Sequence, residues 1–248
     1  MAIALLTDFG TRDYFVAVMK GVILSINPRA VIIDITHEIS PQDVETGAFV
    51  LKTAYRWFPP GTIFVAVVDP GVGTERAPLL LKTRRYFFIG PDNGLLTPAA
   101  EEDKIEEAYY ITYRLPNTSK TFHGRDIFAP TAALLSLGVS PQALGTPTRQ
   151  WTRPVSPHMA TRVIYVDRFG NVYTNVTREP ASLGETLCIK TPTGVIKARH
   201  VQTYGQAAPG ETITLINSEG YLEIAVAMGN AAAAYSLKPG IEIKIEKC

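Results

Sequence analysis

Two loops in the first half of the chain place an aspartate at the end of an apolar segment. Asp8 comes after Ala2–Leu6 within the sequence TDFGTRD, and Asp69 follows Thr62–Val68 within DPGVGTER. Ligands of open α/β sheets bind outside the carboxyl ends of the strands, so both loops are candidate sites. A carboxylate suits a diol such as ribose, or a cation, and repels phosphate. We expect Asp8 to bind a ligand, whereas Asp69 and Arg76 could equally form a structural ion pair.

A third candidate is His123, which lies in the sequence TFHGRD just before a predicted helix. Histidine is the side chain best suited to proton transfer near neutral pH. A lone histidine before a helix is more often structural, and Asp126 could equally be an N-cap. The other histidines, His37, His158 and His200, have neither glycine loops nor paired charges nearby, so core or surface roles suffice for them.

The remaining local patterns indicate no metal and no cofactor. No set of His, Cys, Asp and Glu has zinc-ligand spacing, and no Gly-x-Ser-x-Gly sequence is present. The loop after Asp69 lacks the Lys-Ser/Thr pair of a phosphate-binding loop. The sequence GPDNG at 90–94 predicts a tight turn that positions backbone.

These candidates lie within a region where apolar strands alternate with helices. Strands are predicted at Ala2–Leu6, Val31–Ile35 and Thr62–Val68, and helices at Tyr14–Ile26, Pro41–Trp57 and Asp126–Leu137. Leu79–Lys82 and Tyr86–Ile89 are predicted to form a hairpin. The alternation predicts an α/β domain, residues 1–150, with a mostly parallel sheet.

The second half of the chain has a different character. Residues 145–158 contain three prolines without apolar periodicity and are predicted to be a linker. Residues 160–248 contain short β-branched or aromatic runs between turn signals, which predict a smaller all-β, barrel-like domain. Its strands are predicted at Val163–Val166, Val172–Val176, Thr186–Ile189, Val195–Val201, Thr212–Ile216, Tyr221–Ala227 and Ile241–Ile245, with a helical turn at Ala231–Ala234.

Composition narrows the functional classes. The 248 residues are 46% hydrophobic and 19% charged, which predicts a sizeable core. A net charge of +1 offers no basis for binding nucleic acid or an anionic membrane. The longest apolar stretch, Ile63–Val68, is far below the ~20 residues that span a bilayer, and the first residues form no signal peptide. Cys188 and Cys248 suggest neither a metal site nor a disulfide framework, so we expect a reducing, cytoplasmic environment.

Taken together, six ordered segments resemble one family: TDFGTRDYF, VVDPGVGTER, GPDNGLL, FHGRDIFAP, VDRFGNVYTN and NSEGYLEIAVAMGNAA. They are similar to the S-adenosyl-L-methionine (SAM) hydroxide adenosyltransferases, or SAM hydrolases, which are relatives of fluorinase and chlorinase. The match runs from Thr7 to about Ala234 and covers both predicted domains. The resemblance implies an α/β domain, a smaller β-barrel-like domain, and a homotrimer whose active sites lie between subunits.

The resemblance also implies a reaction, in which water attacks the ribose C5′ of SAM to give adenosine and L-methionine. The residues implied in water activation are Asp69, Arg76 and His123. The residues implied in substrate binding are Asp8 for the ribose, Thr121 and Phe122 for the ribose and sulfonium region, Asp167 for the methionine ammonium, Ser218 and the backbone of Glu219 for the methionine carboxylate, and Asn171, Asn230 and Ala231 for adenine.

Other functions remain as alternatives. The halogenase branch of the family replaces the aspartate of VVDPG by tyrosine and lacks the histidine of FHGRD. Because this chain has Asp69 and His123, the resemblance favours water over halide. A SAM or adenosine sensor without activity is a second alternative. A SAM methyltransferase is a weaker one, because TDFGTRD replaces its usual glycine-rich loop.

Overall fold

The computed structural model describes residues 1–154 and 160–248. The chain divides into two compact units, Met1–Val155 and Ser156–Cys248. Each unit contains one seven-stranded sheet. The fold class expected from the sequence, an α/β domain with a smaller β domain, is confirmed, although the first sheet is mixed and only three of its six ladders are parallel, where a mostly parallel sheet was expected.

The first unit is built on a mixed sheet of order β2-β1-β3-β5-β4-β6-β7. The ladders among β2, β1, β3 and β5 are parallel, and those among β5, β4, β6 and β7 are antiparallel. The parallel half is the one that carries the Asp8 and Asp69 loops. The strands are β1 (Ala2–Thr7), β2 (Val31–Thr36), β3 (Ile63–Val67), β4 (Pro78–Thr83), β5 (Phe87–Pro91), β6 (Ile105–Ile111) and β7 (Gly145–Pro147).

Helices cover both faces of this sheet, which explains why its central strands are continuously apolar. Along β1, Ile3 and Leu5 pack into a core with α1 and α4, whereas Ala4 and Leu6 pack into the opposite core with α2. The helices are α1 (Phe15–Ile26), α2 (Val44–Ala54), α3 (Thr97–Glu102), α4 (Ala129–Ser136) and α5 (Pro141–Leu144). The hairpin predicted around residues 83–85 is present as β4 and β5.

The segment predicted as a linker begins with regular structure. Gly145–Pro147 forms β7, which pairs with Tyr109–Ile111 of β6. The chain then stays on the first unit, where Thr152 donates its N–H to the Asp92 carboxylate at 2.6 Å. A three-residue strand containing glycine and proline has no apolar periodicity, so the sequence did not indicate it. Residues 155–158 of the predicted linker, including His158, lie outside the described residues.

The second unit is a curled sheet of order β14-β10-β11-β12-β13-β9-β8. Its neighbours are antiparallel except β11 and β12, which are parallel. Val163 donates to the carbonyl of Ile241, and Gly240 donates to that of Val163, each at 2.9 Å, so the two ends of the sheet meet. The elements are β8 (Val163–Val166), β9 (Val172–Thr174), β10 (Thr186–Thr191), β11 (Gly194–His200), β12 (Thr212–Ile216), β13 (Leu222–Val226), α6 (Ala231–Tyr235) and β14 (Lys244–Lys247).

The two cysteines correct one sequence-based expectation. Cys188 and Cys248 form a disulfide, although no disulfide was expected from their number and spacing. The pairing of β10 with β14 brings Cys188 opposite Glu246, close to the last residue of the chain. This adjacency depends on the order of strands in the sheet and not on spacing in the sequence.

Within residues 1–154 and 160–248, no helix has the length and apolarity needed to cross a membrane.

Candidate active site

The two candidate aspartates lie at one edge of the first sheet because their strands are neighbours. Thr7 of β1 pairs in register with Val67 of β3, and the N–H of Asp8 donates to the carbonyl of Val67 at 3.4 Å. The Asp8 carboxylate accepts a hydrogen bond from the N–H of Gln42 at 2.8 Å. Burial raises the pKa of Asp8, the backbone hydrogen bonds oppose this rise, and the negative charge of Asp69 adds to it.

Asp69 and Arg76 form a buried ion pair across their own loop. A turn reverses the chain after Asp69, where the hydroxyl of Thr74 donates to the carbonyl of Gly71 at 2.7 Å. The Arg76 Nε donates to Asp69 Oδ1 at 3.1 Å, and Nη2 contacts Oδ2. The side chains are only 8% and 5% exposed, so the interaction is screened little by solvent.

Arg76 also connects this ion pair to His123. The Arg76 Nη2 lies 3.0 Å from His123 Nδ1. A guanidinium has only donors, so Nδ1 accepts and the proton of the neutral imidazole is on Nε2. Burial lowers the pKa of His123, and the charge of Arg76 lowers it further. His123 is therefore a neutral ring whose free nitrogen, Nε2, is a hydrogen-bond donor.

Close packing of two loops makes this contact possible. At Gly73 the backbone has a φ of +78°, and a Cβ there would lie 2.5 Å from the carbonyl oxygen of Lys120. The Arg76 guanidinium lies over the ring of Phe128, 5.6 Å from its centroid. His123 directly precedes a π-helical turn at Gly124–Phe128, a type of distortion frequent at functional sites.

The loop predicted to be a tight turn supports the same edge of the sheet. The Asn93 side chain of GPDNG donates to the carbonyl of Val68 at 2.8 Å and accepts from the N–H of Leu95 at 3.2 Å. Asn93 thus holds the end of β3 directly before Asp69. Within the described ranges, 1–154 and 160–248, no group of three His, Cys, Asp or Glu residues could hold a metal ion.

The two residues predicted beside His123 have different environments. Thr121 is exposed, and its hydroxyl lies 3.1 Å from that of Ser119. Phe122 packs edge-to-face against Phe9 and Phe15, with centroid separations of 6.0 and 5.4 Å. Phe9 and Phe15 were not singled out from the sequence, although both belong to the segment TDFGTRDYF that carries Asp8.

In the second unit, Asp167 and Asn171 form one tight turn after β8. Asp167 Oδ1 accepts the N–H groups of Phe169 and Asn171 at 2.9 Å each, and Asn171 Nδ2 donates to Oδ2 at 3.0 Å. The ring of Phe169 at the tip is 75% exposed. The Asp167 carboxylate therefore organises the turn and retains acceptor capacity toward a ligand.

The other predicted residues of the second unit lie in two separate places. Asn230 lies against the same turn, since a Cβ at Gly170 would be 2.1 Å from Asn230 Cγ. Its side chain caps α6 by accepting the N–H of Ala233 at 2.7 Å, and Ala231 is fully buried. Ser218 and Glu219 lie in the turn between β12 and β13.

Two family models match this chain. The N-terminal domain model of the SAM hydroxide adenosyltransferases matches residues 3–145, and the C-terminal domain model matches residues 161–244. The chain belongs to the SAM hydroxide adenosyltransferase family.

Individual proteins are similar to this one over nearly the full chain. A protein of Methanocaldococcus jannaschii named (R)-S-adenosyl-L-methionine hydrolase is 39% identical, covering 98% of this chain and 95% of its own. A fluorinase of an Actinoplanes species is 32% identical, covering 99% and 97%. A crystal structure of an uncharacterized conserved protein from Thermotoga maritima has a TM-score of 0.93 and 39% identity, covering 98% and 99%.

One further charged residue near Arg76, Arg114, was not predicted from the sequence. Burial lowers the pKa of Arg114, and the positive charge of Arg76 contributes to that shift. Arg114 donates to the carbonyls of Ile111 at 2.9 Å and Tyr113 at 2.8 Å. It follows β6 in a segment without glycine or a paired acid in the sequence, so no local signal indicated it.

Proposed function

We propose that the protein hydrolyses SAM to adenosine and L-methionine, with the water oxygen attacking the ribose C5′. The observation that carries this proposal is the Arg76 guanidinium, which contacts both the Asp69 carboxylate and His123 Nδ1. It assembles a carboxylate, a cation and a neutral donor from loops at the carboxyl edge of the sheet. Membership of the adenosyltransferase family supports the same reaction.

This set suits a reaction whose leaving group needs little help. The sulfonium departs as a neutral thioether, so no acid has to protonate it. The difficulty lies in the weak nucleophile, which must be held in line with the C5′–S bond and lose a proton. Holding water in position supplies up to ~7–11 kcal/mol in ideal cases, and a general base adds typically ~10²–10⁴-fold in rate.

We assign the base to Asp69. The His123 Nδ1 is occupied by Arg76, and its Nε2 carries the proton, so His123 donates and does not accept. The Asp69 carboxylate keeps lone pairs beyond those used by Arg76. Water then transfers a proton to Asp69 as its oxygen bonds to C5′, and the C5′–S electron pair leaves on sulfur. Arg76 and His123 donate to the oxygen as negative charge develops on it.

The same carboxylates favour water over halide as the nucleophile that attacks SAM. Asp8 and Asp69 are close enough for the charge of Asp69 to raise the pKa of Asp8. Asp8 attracts a cationic sulfonium, whereas the charge of Asp69 is neutralised by Arg76. A halide carries no proton for Asp69 to accept, so this base assists only water. Asp8 is also suited to accept hydrogen bonds from the ribose hydroxyls.

We further propose that the protein is a homotrimer with shared active sites. Asp8, Asp69, Arg76, Thr121, Phe122 and His123 belong to the first unit, and Asp167, Asn171, Ser218, Glu219, Asn230 and Ala231 to the second. From the family resemblance we infer that the second set surrounds the methionine and adenine of a neighbouring subunit's substrate. Ala231 differs from the other residues of the second set, because it has no exposed surface with which to contact a ligand. A cyclic trimer would generate three equivalent sites by symmetry.

A cytoplasmic location is part of the proposal, because SAM is a metabolite of the cell interior. The Cys188–Cys248 disulfide points the other way, since disulfides are rare in cytosolic proteins outside hyperthermophiles. Thiol alkylation of the protein in freshly lysed cells of its native host decides the question. Two free thiols support the cytoplasm, and a bonded pair in a mesophilic host contradicts it.

The test of function is product analysis in water labelled with ¹⁸O. Purified protein is incubated separately with the (S) and (R) sulfonium epimers of SAM, because the Methanocaldococcus relative is named for the (R) epimer. We expect methionine and adenosine with the label at the 5′ oxygen. A 5′-halo-adenosine in the presence of halide would instead indicate halide transfer. Binding of SAM without any product would indicate a sensor.

A further inference from the structure

The loop that carries Asp8 is held from behind by a buried histidine. The hydroxyl of Thr7 lies 2.9 Å from His37 Nδ1, and His37 Nε2 lies 3.0 Å from Asp34 Oδ1. Thr7 is fully buried, and His37 is 4% exposed. The sequence indicated only a core or surface role for His37, because its neighbours along the chain form no paired-charge motif.

The direction of the Thr7–His37 hydrogen bond follows from the carboxylate at the outer end. Asp34 accepts from Lys20 Nζ at 2.6 Å through one oxygen, and its other oxygen lies near His37 Nε2 as an electrostatic contact, outside hydrogen-bond geometry. A negative charge this close favours the imidazole proton on Nε2. The free lone pair at Nδ1 then accepts from the hydroxyl of Thr7. The Thr7 oxygen in turn accepts the N–H of Phe9 at 3.2 Å.

A second contact of His37 reaches the other side of the same loop. The carbonyl of His37 accepts the N–H of Gly10 at 2.7 Å. Asp8 therefore lies between Thr7, whose hydroxyl contacts the His37 side chain, and Phe9, whose N–H donates to that hydroxyl, and Gly10 donates to the His37 carbonyl. His37 contacts the loop that orients the Asp8 carboxylate at two points, one on each side of Asp8.

The order hydroxyl, imidazole, carboxylate is the one found in nucleophilic sites. Here it cannot act as a nucleophile, because the Thr7 hydroxyl has no exposed surface through which a substrate could reach it. Its effect must pass through the loop.

We propose that His37 is a positioning residue for substrate binding, and that it acts by fixing the Asp8 carboxylate toward the ribose through the Asp34–His37–Thr7 chain. This inference rests on the proposed function, in which Asp8 accepts from the ribose hydroxyls. It predicts that losing His37 weakens ligand binding only when Asp8 is present.

The test measures adenosine affinity by calorimetry for Thr7→Val, His37→Ala and His37→Asn, each with Asp8 intact and in an Asp8→Ala background. With Asp8 intact, Thr7→Val and His37→Ala should weaken binding about tenfold. His37→Asn, whose side-chain oxygen can replace Nδ1 as acceptor, should recover most of the affinity. In the Asp8→Ala background the same substitutions should change affinity by less than about twofold.

The second unit offers a matched control. His200 is 1% exposed, its Nδ1 lies 3.1 Å from the hydroxyl of Thr214, and its Nε2 lies 2.5 Å from Glu179. His200→Ala removes a comparable hydroxyl–imidazole–carboxylate chain, with a buried hydroxyl and imidazole and an exposed carboxylate, that holds none of the proposed binding residues. We expect it to lower the melting temperature without weakening adenosine binding.

The outcomes separate the two proposals. Equal loss of affinity in both Asp8 backgrounds, or an equal loss from His200→Ala, would show a general structural effect and overturn the role of His37. Unchanged affinity in Thr7→Val and His37→Ala would do the same. If the wild-type protein neither binds adenosine nor consumes SAM, the proposed function fails first, and the role of His37 fails with it.

Discussion

The Arg76 Nη2 lies 3.0 Å from Nδ1 of His123, a residue 47 positions away along the chain. One guanidinium therefore sets the protonation site of the imidazole and binds the Asp69 carboxylate at the same time. As a result, His123 acts as a hydrogen-bond donor and Asp69 acts as the proton acceptor. The predictions below test this arrangement and the assembly around it.

Replacing Arg76 by lysine should lower kcat/KM on the order of 100-fold, the usual effect of losing one donor to a developing oxyanion. Lysine keeps the charge but cannot contact Asp69 through two nitrogens while also donating to His123. Steady-state kinetics of SAM consumption measure the effect. The control is Arg85→Lys, which alters a comparable ion pair with the buried Asp103 in the same unit. Equal loss in both variants would contradict a specific role of Arg76.

The pH dependence follows from the lowered pKa of His123, caused first by burial and then by Arg76. The folded protein binds this proton more weakly than the unfolded chain, whose histidine pKa is about 6.5. We therefore expect kcat/KM to be constant from pH 8 down to about 6.5, with the His123-dependent loss only below it. The contribution of this group to stability is likewise lost as the pH falls below about 6.5.

Nitrogen NMR of His123 gives an independent check of the same state. At pH 7 the Nδ1 resonance should be that of a non-protonated ring nitrogen, and Nε2 that of a protonated one. A loss of activity centred above about pH 6.5 that disappears in His123→Asn, or a protonated Nδ1, would contradict the assignment of His123 as a donor.

The ribose assignment of Asp8 predicts that adenosine binds more tightly than 2′-deoxyadenosine or 3′-deoxyadenosine. Removing one partner of a charged hydrogen bond typically costs ~1–3 kcal/mol. Calorimetry on the wild-type protein and on Asp8→Ala measures the difference. In Asp8→Ala the three ligands should bind alike, and equal affinities in the wild-type protein would remove Asp8 from the ribose site.

Subunit mixing tests whether active sites are shared. Asp69→Ala and the double variant Asp167→Ala/Asn171→Ala should each be inactive alone. In mixed trimers, some junctions between subunits combine two intact halves, so SAM hydrolysis should reappear. Trimers verified by mass spectrometry to be mixed, yet without activity at any mixing ratio, would rule out shared sites.

The disulfide predicts a stability effect that is independent of the active site. Cys188 and Cys248 are 60 residues apart, and closing a loop of that length can stabilise a protein by up to about 4 kcal/mol. We expect Cys248→Ser and Cys188→Ser to lower the free energy of unfolding equally, and a reductant to bring the wild-type protein to the same value. Denaturant unfolding measures this. Unchanged unfolding under reductant would contradict the bond.

Much of the fold could be predicted because it depends on local patterns. The boundaries predicted for Val163–Val166 and Thr212–Ile216 are those of β8 and β12, where β-branched runs end at turn residues. The segment Gly145–Pro147 could not be predicted as a strand, because its place is set by pairing with β6. The disulfide likewise depends on β10 lying beside β14.

The candidate site likewise contains residues with a local sequence signal and residues that only the fold brings together. Asp8 and Asp69 were found because a strand end followed by a polar loop is a local signal. The ligand roles of the second-unit residues came from the family resemblance, since Asn230 considered alone is an ordinary helix cap. His37 was missed because its partner Thr7 lies 30 residues away, and only the pairing of β1 with β2 brings them together.

The close approach of Gly73 to Lys120 has a consequence for folding kinetics. Between the two loops that it joins lie β4, β5, α3 and β6. We therefore expect the contact between Arg76 and His123 to close only after this segment has added to the sheet. Long-range closures of this kind form late, because their entropic cost is offset only when many other contacts exist. During refolding, ligand binding at this edge should therefore return after the secondary structure. A partly folded chain that has its secondary structure but does not yet bind ligand should be present in the interval.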